Sequence, residues 1–209
     1  MSSKDYFDRV AQDWDEMRES FFSDEVREEA LSTAAVQKGK TAADIGAGTG
    51  FISKGLIQAG LQVIAVDQSE AILKEMKRKF SDIETIDYRV GQAQNLPIPN
   101  ATVDYAFANM YLHHVESPSK AIEEMVRILK PAGKLVITDL DEHEFDFLRE
   151  EHHDRWMGFK RADIEKWFQS AGLRDIHIDS IGTCCEARSS CGSEFASIGI
   201  FIASGTNSD

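Results

Sequence analysis

The chain has 209 residues, of which 42% are hydrophobic and 28% charged, and its formal net charge is -13. This is the composition of a globular protein long enough to bury a core, and the acidic excess argues against a nucleic-acid or anionic-membrane partner, since phosphate binding needs clustered lysine and arginine. The three cysteines, Cys184, Cys185 and Cys191, are odd in number and close together, unlike a disulfide framework, and the absence of an apolar stretch in the polar leader or of any run approaching about 20 apolar residues makes a cytoplasmic location the expectation.

The leader opens with YFDRVAQDW, Tyr6 to Trp14, and continues into Val26 to Val36, where Val26, Ala30 and Ala34 mark a weakly amphipathic helix. Gly39 ends it. Thr41 to Ile45 then reads as a short buried strand that breaks into a turn built on Gly46, Gly48 and Gly50, whose missing side chains let the backbone come close to a ligand. A helix with Ile52, Leu56 and Ala59 on one face follows and points its amino end at that ligand. The next apolar run, LQVIAVD, ends on Asp67, about 20 residues past the glycines, where a carboxylate meets the two hydroxyls of a ribose. These features describe a nucleoside half-site. A pyrophosphate cradle would need G-x-G-x-x-G, whereas here the glycines alternate and Phe51 fills the last position of that fingerprint. Asp44, just ahead of them, would repel a phosphate at the helix amino end but suits a cationic ligand. S-adenosylmethionine, with its sulfonium and ammonium groups, has that character.

Leu73, Met76 and Phe80 follow helical spacing and should cover the sheet, with the basic run Lys74 to Lys79 as the solvated face. Ile86 to Val90 is a third strand. Leu96 to Asn100 contains Pro97 and Pro99 and can only be an extended connector. Val103 to Asn109 is the fourth strand, and its carboxyl end, Asn109 to His114, falls where open α/β sheets place their active sites. His113 and His114 are neighbours, so they are expected to point in different directions, one packed or capping and the other lining a cavity. Ile122, Met125, Val126 and Leu129 make a helix ended by Pro131 and Gly133, and Lys134 to Thr138 is the fifth strand. Strands separated by helices imply a parallel sheet with helices on both faces and right-handed crossovers.

Asp141 to Phe159 mixes acids with His143, His152 and His153, but the spacing fits no motif such as H-E-x-x-H, and no metal is expected. The segment reads either as a solvated amphipathic helix or as a lid offering His152, Trp156 or Phe159 to a substrate. Ile164, Trp167, Phe168 and Ala171 form another covering helix, stopped by Gly172. Leu173 to Ile181 and Phe195 to Ser204 are strands with no crossover helix between them, which favours a hairpin and an antiparallel last strand. The three cysteines fall in one loop of that hairpin.

The motifs DIGAGTG, VIAVD, GQAQNLP, ANMYLHHV and RILKPAGKLVITD, in this order between Tyr6 and Asp139, resemble those of the class I S-adenosylmethionine-dependent methyltransferases, closest to the type 11 branch that includes the ubiquinone and menaquinone biosynthesis methyltransferases. The resemblance implies an α/β, Rossmann-like fold with a seven-stranded, mostly parallel sheet and an antiparallel C-terminal strand. It implies a single domain over residues 1–209, with a helical cap at 1–38, a cofactor-binding core at 41–139, and substrate-side helices and hairpin at 140–209. It also implies S-adenosylmethionine as cofactor and in-line methyl transfer to a small molecule by a monomer or homodimer.

Asp44, Gly46, Ala47 and Gly48 would form the cofactor loop, with Asp67 and Gln68 beside the ribose. Gln92, where the family usually has an acid, and the N–H of Ala93 would meet the adenine, and the carbonyl of Asn109 the ammonium. Tyr6 and Trp14 are the candidates for an aromatic that reaches the methionine moiety, unless both simply pack the leader down. Should the acceptor need deprotonation, Tyr111, His113, His114 and His152 are nearest. Soft thiolates hold metalloids, so thiol or arsenite methylation through the C-terminal cysteines is an alternative, as is a non-catalytic cofactor-binding protein.

Overall fold

The computed structural model describes residues 3–19 and 21–208; residues 1, 2, 20 and 209, which fall in the expected cap and at the end of the hairpin segment, lie outside the described residues. Short, largely apolar runs form β1 Thr41–Ile45, β2 Gln62–Asp67 and β4 Val103–Asn109, as their sequence predicts, and the more polar β3 Ile86–Val90 forms an edge. With β5 Leu129–Leu140, β6 Leu173–Arg188 and β7 Phe195–Asn207 they form one sheet in the order β3-β2-β1-β4-β5-β7-β6. The first five strands pair in parallel. Strand β7 runs antiparallel between β5 and β6.

Both faces are buried, so neighbouring residues of one strand serve opposite cores. Ala42, Val63 and Phe107 face the helices α3 Glu25–Ala34, α4 Phe51–Gln58 and α5 Glu70–Lys79. Ala43, Ile64 and Ala106 face α6 Pro118–Arg127 and α8 Arg161–Ser170. Two leader helices, α1 Ser3–Val10 and α2 Trp14–Glu19, lie near the carboxyl edge of the sheet, where Asp15 accepts from Thr49 Oγ1 (2.5 Å) and Lys79 (2.7 Å). The short α7 Asp146–Glu151 follows β5. Among the described residues no helix is long and apolar enough to cross a membrane.

Two expectations are corrected. Helix α6 stops at Arg127, and Leu129 opens β5 opposite Val103 before a bulge; its burial as the first residue of a strand happened to continue the helical spacing. Strand β6 does not end near Ile181 but runs to Arg188, because a register shift between Ser180 and Cys184, around Gly182 at φ 82°, resets the pairing instead of ending it. Cys184 and Cys185 are therefore strand residues opposite Gly199 and Ile198, and only Cys191 lies in the turn.

Candidate active site

The carboxyl ends of β1, β2 and β4 carry a narrow slot, where topology places ligands in such sheets. The loop after β1 is bound to β2 by the N–H groups of Gly46 and Ala47, both donating to the Val66 carbonyl at 2.8 and 3.0 Å. Gly46, Ala47 and Gly48 line the slot with Asp67, Gln68 and Asn109. Asp67 accepts from Gly48 N (3.0 Å), Ser69 N (2.9 Å) and the backbone N–H of Gln68, so it shapes the loop as well as facing the slot. Burial raises its pKa, against the pull of those donors. Asp44 is placed differently from its expected role. Its Oδ2 accepts from Ser53 N (3.0 Å) and Ser53 Oγ (2.6 Å), holding the first turn of α4, and it is not in the slot lining. Burial pushes its pKa up to about 6.

The leader closes the slot. Trp14 lines it, with Nε1 3.4 Å from the point a β-carbon on Gly48 would occupy. Phe7 and Arg18 also line it, and neither is signalled by the sequence. The guanidinium carbon of Arg18 lies 4.5 Å from the centre of the Phe51 ring, and its Nε is buried with no hydrogen-bond partner. A lone arginine inside the acidic run DEMRE reads as surface until the fold turns it inward.

Tyr111, offered as a candidate base, lines the slot. Its ring lies against Gly46, and its hydroxyl accepts the backbone N–H of Ala93, the donor expected to meet adenine. Burial first, and the charge of Asp67 second, push the phenol well above its ordinary pKa. Tyr111 thus separates the slot from a recess lined by Gln68 and Gln92.

A second cavity, about 60 Å³, adjoins the slot. Phe7, Trp14, Phe22, Met110 and His114 line both spaces. Tyr6 belongs here, not to the cofactor slot: it is buried, and its hydroxyl lies 3.3 Å from His152 Nδ1. Cys185 and Ala187 of β6 close the far wall.

The polar corner of this cavity is made by His113, His114 and Asp154. The two histidines do not diverge as expected: they sit in the 3-10 turn Leu112–His114 with ring centres 4.1 Å apart, and His113 Nε2 and His114 Nδ1 are each 3.8 Å from Asp154 Oδ1. Met110, at φ 48°, turns the chain sharply, and the segment after α7 delivers Asp154 over that turn by donating Arg155 N and Trp156 N to the His113 carbonyl, both at 3.0 Å. Trp156 and Phe159, offered as lid residues, do not line the cavity; Trp156 Nε1 donates to the Val115 carbonyl at 2.8 Å and fixes the segment.

Beneath His113 lies Asp139, fully buried, which accepts from Leu112 N (2.8 Å), Leu140 N (2.8 Å) and His113 Nδ1 (2.6 Å). Burial disfavours the charged His113 ring, but Asp139 and Asp154 outweigh it and hold the pKa at about 9. His114 is held well below its usual value by burial and by His113. Burial likewise lowers His152 and raises Asp154.

The cysteines do not converge. Cys185 is buried in the cavity wall, its thiol pushed up to about 12 by burial, while Cys184 is exposed. Cys191 is exposed in the turn, lowered to about 7 by the Ser189 and Ser193 hydroxyls. Among the described residues the set of three or more His, Cys, Asp or Glu ligands within metal-binding reach is His113, His114 and Asp154. The expectation that no such set exists came from spacing within one segment, and the structure assembles one from two.

Residues 43–137 match a family described as a methyltransferase domain. A demethylmenaquinone methyltransferase of Paenarthrobacter aurescens is 40% identical over 104 residues, 50% of this chain and 40% of that protein. A ubiquinone biosynthesis O-methyltransferase of Coxiella burnetii is 26% identical over 193 residues, 84% of this chain and 82% of its own length. A Haloferax volcanii methyltransferase, solved in complex with the methyltransferase activator Trm112, shares the fold with a TM-score of 0.80 at 21% identity, covering 97% of this chain and 98% of that one. The chain spans less than half the length of the first of these relatives.

Proposed function

We propose that the chain is a class I, S-adenosylmethionine-dependent methyltransferase that methylates a small molecule held in the cavity beside the slot, a reading supported by the methyltransferase-domain match over residues 43–137 and by the strand order. The observation that carries this reading is the shared wall: Phe7, Trp14, Phe22, Met110 and His114 face both spaces, so a cofactor in one presents its methyl group to the other.

The slot suits S-adenosylmethionine. At Gly48 the position of a β-carbon is open but for Trp14 Nε1 at 3.4 Å, and the orphaned Nε of Arg18 is a buried cationic donor for the amino-acid carboxylate. An ionised carboxylate has about four acceptor positions, so the three N–H groups on Asp67 leave one for a ribose hydroxyl. When bound, the cofactor supplies a methyl group already activated on sulfonium and leaves as a neutral thioether. The residues of the chain have the task of alignment and exclusion of water, and no strong base is required of them. Tyr6, Phe7, Phe21 and Phe22 hold an apolar body, and His113, His152 and Asp154 mark one polar edge. That distribution suits a flat, hydroxylated aromatic acceptor. It suits arsenite less, since Cys185 is the one cysteine in the cavity lining.

The test is incubation with methyl-labelled cofactor and a panel of quinol, catechol, thiol and arsenite acceptors. Label is expected on a hydroxylated aromatic. Transfer confined to thiol or arsenite would reject the acceptor class, and a protein that ignores S-adenosylhomocysteine in calorimetry would reject the reading as a whole.

A further inference from the structure

We propose that His113, His114 and Asp154 form a binding site for a divalent metal ion in the wall of the acceptor cavity. His113 Nε2 and His114 Nδ1 both approach Asp154 Oδ1 at 3.8 Å, and the three atoms all lie within 4.8 Å of one another. A point between them is about 2.5 Å from each, so a contraction of a few tenths of an ångström reaches the 2.0–2.2 Å of zinc–nitrogen and zinc–oxygen bonds.

Three further observations point to an ion. First, His114 Nδ1 is buried and has no hydrogen-bond partner, on a side chain only 7% exposed and aimed at Asp154. A buried imidazole nitrogen in this state is destabilising unless something occupies it. Second, Asp139 accepts from His113 Nδ1 at 2.6 Å and leaves Nε2 facing Asp154, the carboxylate–histidine arrangement that orients metal ligands. Third, Asp139 and Asp154 are both buried, and among the described residues neither pairs with a lysine or arginine. A proton on His113 would balance one of these charges. A divalent cation held by neutral imidazoles balances both.

A simple hydrogen-bonded chain from Asp139 through His113 to Asp154 accounts for His113 but leaves His114 Nδ1 unexplained. Two imidazoles and one carboxylate favour zinc, iron(II), cobalt(II) or manganese(II) over calcium, which takes six or more oxygens. Three protein ligands also leave an open position, and all three residues line the cavity, so an acceptor oxygen could complete the shell. That last step rests on the function proposed above; the ion site does not.

Chelator-treated protein, free of S-adenosylmethionine, is titrated with cobalt(II) and followed by visible absorption, with zinc as competitor. One equivalent is expected to bind with d–d bands of a low-coordinate site, to be displaced by zinc, and to raise the Tm. Asp154→Asn, which keeps size and shape, and His114→Ala should each weaken cobalt binding at least tenfold, and Asp139→Asn by ten- to a hundredfold. Cys184→Ser should bind as the parent does. Circular dichroism and S-adenosylhomocysteine binding of each variant establish that it is folded, with Asp154→Asn deciding should His114→Ala fail to fold. A parent that takes up no cobalt or zinc, or folded variants that bind as tightly as the parent, would overturn the site. Metal binding without cofactor binding would overturn only the function proposed above.

Discussion

Tyr111 stands against Gly46 so closely that a β-carbon on residue 46 would lie 2.3 Å from its ring, and its phenol takes the Ala93 N–H. Adenine, seated as the family resemblance implies, needs that same donor. Tyr111→Phe removes the competitor and keeps the ring, so S-adenosylhomocysteine should bind more tightly by about 1 kcal/mol, or roughly fivefold. Calorimetry showing no change would mean that adenine does not use Ala93. Gly46→Ala should abolish binding, because φ is 70° and the added carbon meets the ring.

Asp67→Ala should weaken the cofactor by about 2 kcal/mol, more than tenfold, by removing a ribose acceptor and the anchor of Gly48 N and Ser69 N together. An unchanged Kd would remove Asp67 from the site.

Arg18→Met keeps the packing on Phe51 while deleting the charge. Loss of a charged hydrogen bond is worth about 1.5–3 kcal/mol, so S-adenosylhomocysteine should bind ten- to a hundredfold more weakly. 5′-Methylthioadenosine has no carboxylate and should bind parent and variant alike. Equal losses for both ligands would assign Arg18 a packing role only.

Asp44 carries a pH dependence. Its folded pKa, about 6, lies above its ordinary value of 3.8, so the native state holds the proton more tightly than the unfolded chain. Nothing is lost below about pH 4; stability falls between about pH 4 and 6, by about 2–3 kcal/mol, and stays lower above that. Asp44→Asn still accepts from Ser53 but does not titrate. The difference in urea midpoint between parent and variant should therefore grow in favour of the variant across pH 4–6, and a difference independent of pH would contradict this account.

The sheet was legible because its information is local: β1 and β4 begin and end where the runs TAADI and VDYAFAN do, and Gly46 and Gly91 follow β1 and β3 directly. Gly48 and Asp67, both set in local motifs, come to border one slot. What escaped depends on contacts far apart in the chain. Tyr6 and Trp14 are near neighbours in sequence, yet Trp14 lines both spaces and Tyr6 only the second cavity. Asp154 gains its role only because the Arg155 and Trp156 amides bind the His113 carbonyl, a relation that no spacing rule encodes. Cys184 and Cys185 read as loop residues because Gly182 looks like an end, and strand pairing across a bulge is invisible in one strand alone.

The acceptor cavity is bounded on one side by Tyr6 and Phe7 and on the other by Cys185 and Ala187, and Glu186 N donates to the Phe21 carbonyl at 3.0 Å where the two sides meet. The loop Gly46 to Thr49 that borders the slot lies between those two stretches in the sequence. Under the function proposed above, changes at Tyr6, Cys185 and Ala187, which line the cavity and not the slot, can therefore alter what is methylated while the slot stays as it is. A change of chemistry need not pass through a form that has lost its cofactor.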